Sequence, residues 1–260
     1  YYAITRDHVD VARLLLEHGA DPNYVSSIKG NLMAVAVTKE NPAMVRLLLE
    51  HKGNPNKGNY YRITAMHSVL KPELAEMLLS HGGNPNVQDY NGATPLTLAA
   101  MRGDMAMVRF WLDHRADIDL GGFPYEEYVP IKRPLAGRGN ALFAAVERND
   151  RAMLDYLLER GAKLTMTDYE GRTICPALRS AVEHDRMDLF RYLLDKGAPV
   201  TDQSFLTPLH VAAFWGRTEM VRLLLERGAS VGNSPDGYSP LQPAILPCNT
   251  EIVGMLLDSG

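Results

Sequence analysis

Four histidines recur at near-equal intervals: His18, His51, His81 and His114, separated by 33, 30 and 33 residues. Imidazole is the commonest metal ligand and a general base near neutral pH, so a row of them is the first place to look for chemistry. Each closes a run such as "LLLEH", "MLLSH" or "FWLDH". That places the ring at the C-terminal end of an amphipathic helix, where the helix dipole favours it and the adjoining loop offers it a bond. Helices packed side by side lie about 8–10 Å apart, whereas a Zn–N bond is about 2 Å long. A metal row and a helix-end row share the spacing, and these distances favour the second. No spacing implies a nucleophile–base pair. "GRGN" at 137–140 and "GNSPDG" at 232–237 are glycine-bearing turns without a phosphate-loop pattern. Cys175 and Cys248 have no activating neighbours in sequence, so packing is expected of them rather than reactivity. The expectation is therefore no catalytic residue, no metal site and no small-molecule cofactor.

Composition narrows the class. The chain has 260 residues, 46% of them hydrophobic and 22% charged, which is ordinary for a globular protein. A net charge of −4 gives no field that would draw it to nucleic acid or an anionic membrane. Two cysteines argue against a disulfide framework and fit a reducing compartment. The chain also carries no Asn-x-Ser/Thr acceptor. An intracellular location is expected, the cytoplasm first and the nucleus as the alternative. No apolar run approaches the roughly 20 residues that span a bilayer, so no membrane insertion is expected.

The helices that carry these histidines belong to an internal repeat. "LLLEHGADPN" at 14–23 returns as "LLLEHKGNPN" at 47–56 and "MLLSHGGNPN" at 77–86, then in weaker form to the end of the chain. The residue that closes each helix falls at Gly19, Lys52, Gly82, Arg115, Gly161, Gly197, Gly228 and Gly260, with gaps of 33, 30, 33, 46, 36, 31 and 32. Upstream lies a second signature, "TPLTLAAMRGD" from Thr94 and "TPLHVAAFWGR" from Thr207, with weaker copies from Thr64, Asn140 and Ser239. The distance from that position to the closing residue is 21 in five units, 18 in the third and 24 in the sixth. The third thus has a deletion and the sixth an insertion. Thr207 with Pro208, and Asn41 with Pro42, read as helix caps followed by a proline at the first helical position. Val221, Leu224 and Leu225 share one face, and Leu223 widens it.

These recurring motifs resemble the ankyrin repeat family over essentially the whole chain. The resemblance implies an all-α fold, a solenoid of stacked helix–turn–helix units with β-turn fingers. The expected organisation is a single domain, 1–260, of about eight repeats with the first and last incomplete. The long gap is read as an extended finger at 119–139, because the repeat phase resumes at Asn140. Neither end shows a polar capping repeat, so a piece of a longer polypeptide is expected. The resemblance further implies that His67 and His210 bond loop backbone. It also places Asn23, Asn56 and Asn86 at the turn position that asparagine hydroxylases modify in some members, with plain turn chemistry as the competing account.

Ankyrin domains generally bind through finger tips and the exposed face of the first helices, so binding is expected through the concave groove and the finger tips. Seven and eight residues beyond the motif threonine, the pairs are Thr38/Lys39, Met101/Arg102, Glu147/Arg148 and Phe214/Trp215. The first unit gives Thr5/Arg6 and the sixth, corrected for its insertion, Glu183/His184. The result is a basic row of Arg6, Lys39, Arg102, Arg148 and His184 that ends in Trp215. Solvated fillers are the competing account of the charges. Fingers contribute Tyr60, Tyr90 and Tyr169, and the long one Phe123, Tyr125 and Tyr128. Packing of the fingers themselves, or cover for a loose junction, is the alternative there. Phe214 and Trp215 read as an aromatic anchor, since such rings dominate binding when desolvated. The expected function is a non-catalytic scaffold that binds a protein segment with acidic and apolar residues, and not nucleic acid. The alternatives are a targeting or substrate-recognition module of a larger enzyme or effector, and a spacer without a ligand.

Overall fold

In the computed structural model the described residues are 1–26, 30–121, 139–168, 171–204, 206–234, 237–245 and 249–260. They form two compact units, Tyr1–Ala141 and Leu142–Gly260. The first unit holds four helix pairs. These are α1 (Tyr2–Thr5) with α2 (Val9–Glu17), α3 (Leu32–Thr38) with α4 (Pro42–Glu50), α5 (Ala65–Ser68) with α6 (Pro72–Ser80), and α7 (Pro95–Arg102) with α8 (Met105–Asp113). A short antiparallel finger, β1 (Val25–Ser26) and β2 (Gly30–Asn31), precedes α3. The second unit holds α9 (Ala141–Glu147) with α10 (Arg151–Glu159), α11 (Pro176–Glu183) with α12 (Met187–Asp195), α13 (Pro208–Phe214) with α14 (Thr218–Glu226), and α15 (Leu241–Ile245) with α16 (Thr250–Asp258). Its finger is β3 (Met166–Thr167) against β4 (Thr173–Ile174).

The second helix of each pair is the constant element. All eight among the described residues are nine residues long. Four of them begin at a side-chain cap: Asn41, Asp104, Asp150 and Asn249 accept bonds from the backbone N–H three residues on; α2, α6, α12 and α14 begin without one. Seven of these helices are followed by a residue of positive φ at the predicted closing position, from 64° at Arg115 to 92° at Gly161. Glycine adopts that region without strain. Lys52 and Arg115 adopt it without being glycine. The seventh position of α4, α6, α10, α12 and α14 is a buried leucine (Leu48, Leu78, Leu157, Leu193, Leu224), and in α8 it is Trp111. The indole Nε1 of Trp111 is buried without a hydrogen-bond partner.

The first helices vary, and they absorb the irregular spacings. The deletion in the third pair falls at the C-terminal end of α5, which has four residues against seven in α3 and eight in α7. In the sixth pair the cap is Cys175, and Thr173 lies in β4. The spacing counted from Thr173 therefore exaggerates the insertion, which amounts to one residue at the end of α11. Thr207 holds the cap position of α13, as expected, but its side chain bonds no backbone N–H there. Its hydroxyl lies 2.8 Å from Nδ1 of His210. Ala36, Ala99, Ala181, Ala212 and Ala213 are fully buried, which lets the helices of a pair approach closely.

Two repeats exchange a methyl for a longer neighbour. Gly53 and Gly83 stand where other repeats have Ala20, Ala116, Ala162, Ala198 and Ala229. A Cβ on Gly53 would lie 2.6 Å from the Leu48 carbonyl oxygen and 2.7 Å from Cε of Met33, and one on Gly83 would lie 2.8 Å from both the Leu78 carbonyl oxygen and Sδ of Met66. The methionines of α3 and α5 thus occupy the space the alanine methyl takes elsewhere. Val11, Leu14 and Leu15 of α2 are 50%, 57% and 48% exposed, although their counterparts Met44, Leu47 and Leu48 in α4 are buried.

Candidate interaction surface

The histidine row closes helices. Nδ1 of His18 lies 2.8 Å from the Leu14 carbonyl, that of His81 2.9 Å from Met77, and that of His114 2.7 Å from Phe110. Each ring bonds one turn back into its own helix. Nε2 of His114 reaches Glu76 in the neighbouring pair at 2.8 Å. Among the described residues no cluster of three His, Cys, Asp or Glu could hold a metal ion.

His67 and His210 join consecutive repeats. Nδ1 of His67 accepts from the Thr64 backbone N–H at 3.1 Å, which puts the ring proton on Nε2, and Nε2 donates to the Ala93 carbonyl at 3.1 Å. Nε2 of His210 makes the same contact to the Tyr238 carbonyl at 2.8 Å. Burial lowers both pKa values below the usual histidine range, against the raising effect of those carbonyls. Both rings are neutral structural donors. Cys175 is buried, its thiol pKa is pushed up to about 12 by that burial, and its Sγ donates to the Leu164 carbonyl. Cys248 lies outside the described residues.

The turn asparagines have a job that local sequence does not reveal. Nδ2 of Asn23 donates to the Lys52 carbonyl at 3.1 Å, and its Oδ1 accepts from the Asn54 N–H at 2.6 Å. Asn56 repeats this one unit on, to the Gly82 carbonyl at 2.8 Å and from the Asn84 N–H at 2.8 Å. Asn86 continues it to Arg115 at 3.4 Å and Asp117 at 2.7 Å. The result is a ladder of side-chain amides along the turns of the first unit, each rung linking two repeats.

The predicted row sits where it was expected relative to each helix. Arg6, Lys39, His184 and Trp215 are the C-cap residues of α1, α3, α11 and α13; Arg102 ends α7 and Arg148 follows α9. All six are exposed. Their electrostatic settings differ. In the first unit Lys39 and Arg102 are in no ion pair among the described residues. In the second, His184 lies 3.5 Å from Glu147, and Glu147 also accepts from the Ser180 hydroxyl. Trp215 is 46% exposed and Phe214 half-buried, with their rings edge-to-face at 5.2 Å.

On the fingers, Tyr60 is 86% exposed and Tyr90 52%. The Tyr90 N–H donates to the Tyr61 carbonyl at 2.8 Å, so adjacent fingers are tied by backbone while their rings face water. Phe123, Tyr125, Tyr128 and Tyr169 lie outside the described residues. Sequence reasoning missed Leu70, an exposed leucine just after the shortened α5. It also missed a depression of about 600 Å³ in the second unit lined by Arg151, Asp155, Tyr192 and Lys196. There the Arg151 guanidinium stacks on the Tyr192 ring, 3.3 Å from its centre, and both residues bond Asp155.

Helix pairs of fixed second-helix length, joined through turn amides and buried histidines, define a helical repeat protein. A family model described as ankyrin repeats (3 copies) matches residues 1–89, 63–168 and 178–260. The chain belongs to the ankyrin repeat family. It is similar to the crystal structure of the human ASB11 ankyrin repeat domain, with 25% identity, a TM-score of 0.59, and coverage of 88% of this chain and 97% of that one. No curated protein matches it. Ankyrin repeats are in general protein–protein interaction modules, and the fold is a non-catalytic one. Among the described residues no helix is long and apolar enough to cross a membrane.

Proposed function

We propose that this chain is a non-catalytic scaffold inside the cell that binds a protein partner through the ends of its first helices and its finger tips. In the first unit the contact residues are Lys39, Arg102, Tyr60 and Tyr90, and in the second Arg148, His184, Phe214 and Trp215. The observation that carries this reading is Trp215. Its neighbours Ala212 and Ala213 are fully buried, yet the indole, among the most costly side chains to leave in water, is 46% exposed and braced edge-on by Phe214. Rigid aromatic rings held at a surface are typical binding anchors.

The test compares Trp215→Ser with the parent chain in thermal melting and in capture of cellular proteins. The expected result is a melting temperature within a degree or two and loss of captured partners. A large drop in melting temperature would instead assign the ring to packing, because truncating a buried Trp costs about 3–5 kcal/mol. In a Trp111→Phe background all tryptophan emission comes from position 215, and iodide should quench it in the unbound chain and not in the complex.

A further inference from the structure

The row of first-helix ends is interrupted in the third repeat. α5 stops at Ser68, whereas α3 and α7, which pack on either side of it, run to Thr38 and Arg102. Val69 leaves the helix in an extended conformation and is buried, and Leu70 follows 47% exposed. The chain then enters α6 through Lys71. The deletion has removed the positions that carry Lys39 and Arg102 in the flanking repeats, leaving a notch with an exposed leucine in it. Thr38 and Lys39 stand on one side, and Met101, 39% exposed, and Arg102 on the other.

The two cations that flank the notch have no carboxylate at ion-pair distance among the described residues. Glu40 is engaged by Lys71 at 2.5 Å, and the Asp104 carboxylate caps α8 by accepting the Met107 N–H at 3.0 Å. Asp104 acts on Arg102 only from beyond ion-pair distance. Adjacent packed helices lie about 8–10 Å apart, so two cations two repeats apart bracket about 16–20 Å. An extended strand covers that in about five or six residues.

Resting on the interaction reading above, we propose that this notch docks an extended acidic segment of a protein partner. An apolar side chain seats on Leu70 and Met101, and carboxylates two or three residues to either side meet Lys39 and Arg102. The apolar contact fixes the register. The flanking charges select against basic segments and make association sensitive to salt.

The experiment is selection of a random 12-residue phage-displayed peptide library on the full chain, followed by anisotropy of the recovered peptides with labelled ends. Recovered sequences should carry one large apolar residue flanked by Asp or Glu at two or three positions. Leu70→Ser should weaken them about tenfold. Lys39→Ser with Arg102→Ser should weaken them and flatten the salt dependence. All three side chains are exposed, and circular dichroism should confirm unchanged folding. Trp215→Ser should have no effect. The notch proposal is overturned if no peptide is selected, if the pattern is absent, or if binding ignores Leu70→Ser. Peptides that depend on Trp215 alone would overturn the notch and leave the interaction reading standing. If cellular partners were captured equally by the notch variants and by Trp215→Ser, the interaction reading itself would fail.

Discussion

The two units solve the same packing problem with different chemistry. In the first, the turns of consecutive repeats are sewn together by neutral amides, with Asn23, Asn56 and Asn86 each giving and taking a bond. In the second the same place holds Thr165 and Thr201, and Thr201 offers a hydroxyl that accepts one bond, from the Ser230 N–H. Charges run along the second helices instead. Arg191 of α12 reaches Glu219 of α14 at 3.4 Å, Arg222 of α14 reaches Glu251 of α16 at 3.0 Å, and Arg227 reaches Asp195 at 3.0 Å. The lesson is that a repeat interface needs directional bonds to fix its register, but not bonds of one kind. Amide rungs are nearly indifferent to salt. Exposed ion pairs are screened by it. The difference extends to the proposed contact row: Lys39 and Arg102 are in no ion pair among the described residues of the first unit, while His184 lies beside Glu147 in the second.

The largest expected effect concerns packing found in the first unit. Gly53→Ala should destabilise it by about 1–3 kcal/mol, because the new methyl meets the Leu48 carbonyl oxygen at 2.6 Å and Cε of Met33 at 2.7 Å. Met33→Leu in the same chain should recover part of that loss. Alanine already stands at the matching sites of the second unit, Ala162, Ala198 and Ala229. Urea melts of the two variants, with hydrogen exchange to localise the effect, check this. If Gly53→Ala were neutral, the methionine–glycine exchange would be coincidence.

Asn56→Ala should cost about 1–2 kcal/mol, since two cross-repeat bonds disappear and the Gly82 carbonyl is left for water. The loss should be the same in 50 mM and in 1 M sodium chloride. By contrast, Arg222→Ala, which removes pairs to Glu219 and Glu251, should cost at most about 1 kcal/mol at low salt and almost nothing at 1 M. Equal salt dependence of the two variants would erase the distinction between the units.

Acid should weaken both units before it touches the ion pairs. The His67 and His210 pKa values are lowered in the folded chain, so their stabilisation is complete above the unfolded value near 6.5 and declines as pH falls below it toward the folded values. The slope per histidine cannot exceed about 1.4 kcal/mol per pH unit. His67→Gln should flatten the pH dependence of exchange in the first unit and leave the second unchanged. The Asp155 carboxylate, held below its ordinary pKa first by the Tyr192 hydroxyl, adds a further loss to the second unit only as pH falls through the carboxylate range. One small effect is a gain: Lys52→Gly and Arg115→Gly should each stabilise by about 0.5–1 kcal/mol, because both positions have positive φ.

What the sequence alone determined is what neighbouring residues decide among themselves. The second helices, their caps at Asn41 and Asp104, and the left-handed residues at Gly19 through Gly228 follow from 3.6-residue periodicity and from bonds between groups three or four residues apart. The exposure of the first-helix ends, Lys39 to Trp215, followed from the same offsets. What only the tertiary structure decided involves groups about thirty residues apart, whose meeting depends on how one repeat settles on the next. The 24-residue count in the sixth unit starts at Thr173, yet the paired finger draws that residue into β4 and leaves Cys175 to begin α11. The shorter third repeat was visible as a count, but a count cannot say which helix gives way. α6 keeps its nine residues because its buried Leu74, Ala75 and Leu78 pack against α4 and α5, so α5 is the one that shortens and Leu70 is left facing water.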